Sequence, residues 1–410
     1  LPRVEFVGQS ASDSDNRQAN TSRLINVFRE PVGGTAGHQL KSVLGTITLA
    51  TLEPSTGPTL NVRAIAEVGG KMWVVSGGTL FEAQTDGSAT EIGFTRDREP
   101  TFLFGAENDQ VCVVCGGRYF VYDGTTLERP DTTDAPFDQF GSGLYINGFV
   151  VLTEDGGDRF LWTDLADAKN FEGLNFATAE STDKPILRAT KVKNRLWLMK
   201  SDVIEVWAQV GSGANAFTRV TGGLIEVGLK SASLATTFTG GVFWVGSDGI
   251  VYLSAGEELN PISPPAVNTA IAQGNPTHVL YYEDEGHKFC VVRFNDRPAW
   301  VYDIVTGEWH ERASGVEGAW DVTATGLFNG QWYCGDRSGQ FFRFARTNAD
   351  GAESLVRRIY SNTLYLDGQF FTVPVFEVTG RVGIGASEDT AGRQFQAPGR
   401  LRRDTSAGRR

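Results

Sequence analysis

The sequence predicts an all-β protein: a β-propeller of six or seven blades, read as seven, with an extended N-terminal arm and a small C-terminal β appendage. Three observations carry that reading. One hairpin unit recurs seven times, the copies are spaced like four-stranded blades, and no stretch between them carries a convincing 3.6-residue apolar stripe, which excludes a helical solenoid.

The unit is a tight polar turn, a short apolar run, a second Gly/Asp turn and another apolar run. Its clearest copy is Val68 to Ala83, VGGKMWVVSGGTLFEA, where two Gly-Gly turns bracket MWVV. Strands this short are not helices, and such turns tolerate positive φ. The other copies are ENDQVCVVCGGRYFVYDG, INGFVVLTEDGGDRFLWTD, VKNRLWLMKSDVIEVWA, TGGVFWVGSDGIVYLSAG, DEGHKFCVVRFNDRPAWVYD and FNGQWYCGDRSGQFFRFA. The first apolar residues after the leading turns are Met72, Val111, Phe149, Leu196, Val242, Phe289 and Trp332, giving steps of 39, 38, 47, 46, 47 and 43 residues. Each hairpin supplies two strands, and the rest of the period holds two more.

The expected organisation is an arm with a clasp strand over 1–58, the propeller over 59–350, a C-terminal β segment over 351–390 and a basic tail over 391–410. In the arm, GQSASDSDNRQANTSRLINVFRE is polar until LINVF, which reads as an extended segment ending in a short strand. GTITLATL, Gly45 to Leu52, has the β-branched character of a further strand, either a clasp that completes the blade built by the other end or an ordinary edge strand. Two longer excursions, Asp164 to Lys184 and the proline-rich Gly256 to Pro276, read as loops on one face, the usual place for partner contacts on a repeat scaffold; the alternative is a neutral surface loop.

Composition narrows the function classes. With 49 glycines against 15 prolines, 40% hydrophobic and 11% aromatic residues, the chain can make many tight turns around a substantial core. A net charge of -12 argues against broad binding to nucleic acid or anionic membrane. The tail is the exception: residues 391–410 carry +5 and the remainder -17, so a basic segment suited to an acidic partner sits at one end, unless it is simply solvated. No apolar run approaches the roughly 18 residues that span a bilayer. Export is not expected, since no signal-peptide pattern precedes the repeats, and Leu1 is expected to lie inside the encoded chain.

Motifs for chemistry are sparse. Cys112 and Cys115 sit three apart in a strand, on opposite faces, and with Cys290 and Cys334 read as small buried hydrophobes in a reducing compartment. His38, His278, His287 and His310 stand apart from one another and from Cys or acids at ligand spacing, and read as surface or turn residues; no metal and no cofactor is expected. There is no nucleophile elbow, phosphate loop or zincin helix. Propellers can host glycosidases, but Glu154, Asp155, Asp158, Glu283, Asp284 and Glu285 fall at hairpin turns, and Ser247-Asp248-Gly249 and Asp336-Arg337-Ser338-Gly339 read as hairpin geometry rather than sialidase turns or calcium loops. Trp73, Trp197, Trp244 and Trp332 recur at corresponding positions, which suits core packing between blades better than a carbohydrate platform.

The flanks carry a resemblance. Val7-Gly8-Gln9-Ser10, then Ser22-Arg23-Leu24-Ile25-Asn26-Val27-Phe28-Arg29-Glu30, then Leu44-Gly45 and a strand resemble the opening of the tail nozzle, or packaged-DNA stabilisation, proteins of short-tailed bacteriophages. Arg358-Ile359-Tyr360-Ser361, Leu364-Tyr365-Leu366-Asp367-Gly368-Gln369, Phe376-Glu377-Val378 and Val382-Gly383-Ile384-Gly385 resemble the C-terminal β segment of that family. Phe28-Arg29-Glu30 stands where the family often has aromatic-Pro-Glu, and the arginine tail replaces further strands. The resemblance singles out Gly8, Gln9, Ser10, Arg23, Asn26, Phe28, Tyr360, Asp367 and Gly368 as motif or interface residues. It implies a non-enzymatic virion protein of the tail, assembled in the host cytoplasm as a homo-oligomeric ring, expected to be a hexamer. That ring would sit beneath the portal or head-to-tail adaptor, meet tail fibre, needle or plug proteins, retain packaged DNA and conduct it without sequence-specific binding, with no membrane partner. The competing class is a cell-surface propeller that binds or hydrolyses carbohydrate; a third is a soluble kelch-like scaffold.

Overall fold

A computed structural model of the chain describes residues 7–8, 10, 22–32, 37–55, 60–256 and 258–361. Four strands precede the repeats: β1 (Arg23–Ile25), β2 (Val27–Pro31), β3 (His38–Ser42) and β4 (Gly45–Thr51). Seven sheets then follow in chain order, spanning 62–94, 101–128, 140–178, 186–225, 235–261, 276–312 and 322–345, and these are blades 1 to 7 of a seven-bladed propeller. Met72, Val111, Phe149, Leu196, Val242, Phe289 and Trp332 all fall in the second strand of their blades, so the sequence period measured the step between blades. The Gly69-Gly70 and Gly77-Gly78 turns have φ between 55° and 80°, the mirror-image turn geometry that matches strand twist and that only glycine adopts freely.

The second strands read as continuous apolar runs because each sheet is covered on both faces by its neighbours. Side chains alternate between those neighbours. Met72 and Val74 pack with Tyr333 and Phe341 of blade 7, whereas Trp73 and Val75 pack with Val111 and Val113 of blade 2. Cys112 and Val114 then meet Val150 and Leu152 of blade 3, and Phe149 and Val151 meet Leu196 and Leu198 of blade 4. All four cysteines are buried free thiols, and burial pushes those of Cys112 and Cys115 up to about 12 and about 11.

Blade 7 has only three consecutive strands of its own, and β4 supplies the fourth, antiparallel to Gln340–Ala345 from Thr51↔Gln340 to Gly45↔Ala345. The N-terminal strand therefore closes the ring. Blade 6 is extended as well: β1 pairs in parallel with Glu308–Arg312 at Ile25↔Glu311 and antiparallel with Arg358–Tyr360.

Several expectations are corrected. The excursion from Asp164 to Lys184 contains the fourth strand of blade 3, Phe171–Thr178, preceded by a turn in which the Asp167 carboxylate accepts a hydrogen bond from the Lys169 amide at 2.8 Å. The excursion from Gly256 to Pro276 holds the last strand of blade 5 and a helix, Pro265–Gln273, whose Val267, Ala270 and Ile271 bury one stripe too short to stand out among the prolines. Trp73 and Trp197 are third in their second strands, but Trp244 is fourth and Trp332 second, so the four tryptophans do not share one register. His287 and His310 are buried, not surface residues.

At the clasp, a Cβ on Gly45 would lie 2.2 Å from the Ala349 carbonyl oxygen and 2.8 Å from that of Thr347. Backbone cannot yield as a side chain would. Gly45→Ala should destabilise the fold by about 1–3 kcal/mol, read as a lower urea midpoint, while Gly70→Ala, in open space, should cost less despite its positive φ.

Candidate functional site

The motif residues of the two flanks converge on the outer edge of blade 6. Ser10 donates its amide to the Trp309 carbonyl at 2.9 Å and accepts the Leu24 amide on its Oγ at 2.7 Å, bridging the blade to β1. Arg23 makes a two-pronged bond to Glu311 at 2.9 and 2.6 Å, which raises its pKa; its guanidinium lies 5.5 Å from the Tyr360 ring centre. Glu317 joins the cluster by accepting Arg358 at 2.5 Å and the Tyr360 hydroxyl. Gly8 is buried close by in sequence, whereas Gln9, Asp367 and Gly368 lie outside the described residues.

Asn26 is the hub. Its φ of 58° breaks the strand between β1 and β2, a conformation asparagine tolerates better than most residues. Its side chain donates to the Ala313 and Val356 carbonyls at 2.9 and 2.8 Å and accepts the Ala313 amide at 3.0 Å, while its own amide reaches the Glu311 carbonyl at 2.9 Å. One buried residue thus ties the arm, blade 6 and the C-terminal segment together.

Two residues later Phe28 enters the core, edge-on to His287 and Phe289 at 5.0 and 5.1 Å. His287 Nδ1 is 2.7 Å from Asp303 and its Nε2 is 3.5 Å from Glu30 of the arm. Burial, with Arg312 and His287 nearby, pushes His310 down to about 3, so it stays neutral at any ordinary pH. Arg312 is fully enclosed, 4.4 Å from the Trp320 ring centre and 5.1 Å from that of Phe344, and donates to the Tyr282 hydroxyl at 2.8 Å and the Leu44 carbonyl at 2.7 Å. Sequence reasoning missed Glu311, Arg312 and Glu317. For Glu311 and Arg312 the available signal was the segment EWHER, a charged run in the last strand of a blade period, and Glu317 left none.

Two of the acids weighed as catalytic pairs are held in ion pairs. Glu154 is clamped by Arg159 at 2.8 and 2.5 Å, and Asp284 by Arg346 at 2.8 Å. Asp248 and Asp336 close their own turns, accepting the Ile250 amide at 3.0 Å and the Ser338 and Gln340 amides at 2.9 Å. Trp73, Trp197 and Trp244 are buried, so they cannot offer a stacking surface to a sugar. Among the described residues no group of His, Cys, Asp or Glu could hold a metal ion, and no helix is long and apolar enough to cross a membrane.

The fold is a closed seven-bladed propeller whose polar clusters brace its own seam. A family model described as "Bacteriophage P22 Gp10, beta-propeller" matches residues 23–347, from the first residue of β1 to just past the last strand of blade 7. The chain belongs to this phage-stabilisation family of tail nozzle β-propellers. No curated protein matches it. Solved structures with similarity include PorZ, a bacterial surface component of the type-IX secretion system of Porphyromonas gingivalis, at 12% identity and a TM-score of 0.46, covering 77% of this chain and 39% of that one. The computationally designed Ika8 protein is 14% identical with a TM-score of 0.41, covering 73% of this chain and 99% of that one.

Two outcomes test the seam. Asn26→Gly keeps the backbone conformation but loses three side-chain hydrogen bonds and should cost about 2–4 kcal/mol; Asn26→Ala should cost about 1 kcal/mol more, since it adds strain at positive φ, both read from urea midpoints. His310 titrates near 6.5 when unfolded but only near 3 when folded, so the unfolded chain gains the proton first and stability falls as pH drops below 6.5. This one group should remove about 2 kcal/mol between pH 7 and pH 5. His310→Gln should flatten that part of the stability profile.

Proposed function

We propose that the chain is the repeating subunit of a homo-oligomeric tail nozzle ring, six copies in the expected assembly, which extends the portal channel, retains packaged DNA and conducts it at ejection. Its neighbours are the portal or head-to-tail adaptor on one side and tail fibre, needle or plug proteins on the other; its place is the virion tail, after assembly in the host cytoplasm. It has no enzymatic role in this reading.

The observation that supports a ring is the obstruction of the propeller's own centre. Arg63 of blade 1 donates to Glu99 at 2.8 Å, and Glu99 lies 3.9 Å from His278 of blade 6, so side chains bridge non-adjacent walls. Duplex DNA cannot thread one subunit, and a conduit has to be the hole between copies related by rotation. Each phosphate contact adds affinity and salt dependence, so a body with a net charge of -12 suits passage better than a basic one. The described part of the arm is spent within its own blades, which leaves outward groups for partner contact, among them Tyr360 on the edge strand and Leu165 and Leu174 on blade 3, the last 74% exposed. Gln9, Asp367, Gly368 and the basic tail are the remaining interface candidates, whereas Gly8 is buried within the chain.

The purified chain should run as a monomer or weak oligomer in light scattering and form rings on the portal complex. A tail reconstruction should show several copies around the axis; one copy on the axis, or DNA inside a propeller, overturns the reading. Deleting 391–410 should lower incorporation into particles without shifting the unfolding midpoint, and unchanged particle yield would refute a docking role for the tail.

A further inference from the structure

The seven first strands enclose a central cavity of about 560 Å³, within the range of small-molecule sites. Its wall is charged in a way the rest of the chain is not. Arg63, Arg188 and Lys191 contribute three permanent positive charges, and Glu99 is the only carboxylate among the lining residues, in a chain with twelve more negative than positive charges.

The pairing of these groups is unequal. Glu99 is already matched: burial alone would raise its pKa, but His278 at 3.9 Å and Arg63 at 2.8 Å outweigh that and hold it below the usual value. Arg63 is matched as well, since it also meets Asp97. Arg188 is not. Its Nη1 donates to the carbonyls of Ala232 and Ala235 at 3.0 and 2.7 Å, its guanidinium lies 5.1 Å from the Phe102 ring centre, and its Nε is buried with no hydrogen-bond partner. No carboxylate pairs with it among the described residues. Both ring nitrogens of His278 are likewise buried without a hydrogen bond.

An enclosed guanidinium without a counter-charge is expensive, and the usual remedies are a paired carboxylate or a bound anion. Burial lowers the pKa of Arg188 to about 10, which still leaves it charged at neutral pH. Neutralisation is therefore not available as a remedy. The guanidinium fork suits planar carboxylate and tetrahedral phosphate oxygens, and Arg188 lines the cavity with no carboxylate to occupy it. We propose that the centre of the propeller is a binding site for a small oxyanion, a phosphate or a carboxylate, anchored by Arg188 and assisted by the rim lysine Lys191. The anion would connect the walls of non-adjacent blades, which share no strand, and so brace the ring from within. Macromolecular phosphate is excluded by the bridge between Glu99 and His278, so the ligand is a free small molecule.

The test uses the full chain in low-salt buffer, titrated calorimetrically with inorganic phosphate and, separately, with citrate, against sodium chloride at matched ionic strength. Saturable binding is expected for at least one of the two, with a dissociation constant below about 1 mM, together with a rise in thermal midpoint that chloride does not reproduce. Arg188→Gln should weaken binding by at least about tenfold. Should that variant fail to fold, Arg188→Lys, which keeps the charge and loses the planar fork, should still weaken it measurably. Absence of saturable heat with both anions, or unchanged affinity in the folded Arg188 variant, overturns the proposal.

Discussion

Everything in this fold depends on closing the ring. Each blade buries both faces of its second strand against its neighbours, so a missing strand at one seam would expose apolar surface on two blades together. The chain meets this with β4, whose backbone hydrogen bonds to Gln340–Ala345 join residues nearly three hundred positions apart. Contacts of that separation carry a large loop-closure cost and form late, so the seam is held by more than one ladder. β1 and the strand Arg358–Tyr360 add a second layer to blade 6, and Asn26 satisfies backbone groups from three segments at the point where the arm turns from one blade to the next.

Arg312 shows how charge is used inside that seam. Tyr282, Trp320 and Phe344 surround its guanidinium, and the Tyr282 hydroxyl and the Leu44 carbonyl take two of its donors. An aliphatic side chain of similar volume could fill the space, but it could not read the position of the Leu44 carbonyl. The planar donor set therefore fixes the register in which β4 enters blade 7, a specificity that packing alone does not provide. Glu311, the preceding residue, points the other way and fixes β1 through Arg23. Two adjacent charged residues in one strand set the positions of β1 and β4.

The propeller was legible because its cause is periodic: alternation between two apolar neighbours leaves runs such as KMWVV and RLWLM that repeat at a blade's spacing. What stayed hidden was aperiodic. The fourth strand of blade 3 pairs with a bulge and buries only Phe171 and Asn175, so FEGLNFAT reads as a loop. Gly45 gave no sign that a carbonyl sits where its Cβ would be, because that contact comes from Ala349. Among the motif residues, Ser10, Arg23, Asn26, Phe28 and Tyr360 were picked out by resemblance alone, and their common purpose lies in partners that the sequence does not place beside them. His287 and Asp303 are sixteen positions apart, on neighbouring strands, and only the register brings them within 2.7 Å.

This division of labour bears on how such a block works in a tail. A scaffold that must hold position under load gains from having its ends sewn into its own edge, since a pull on either terminus is then shared by a blade and not borne by a single loop. The described residues of the arm act in that way. Closure also removes the propeller's centre as a route for DNA, and a bridged, positively lined cavity inside an acidic body is free to take on a structural task of its own. In the proposed ring the conduit lies between subunits, because side chains bridge the propeller's own centre.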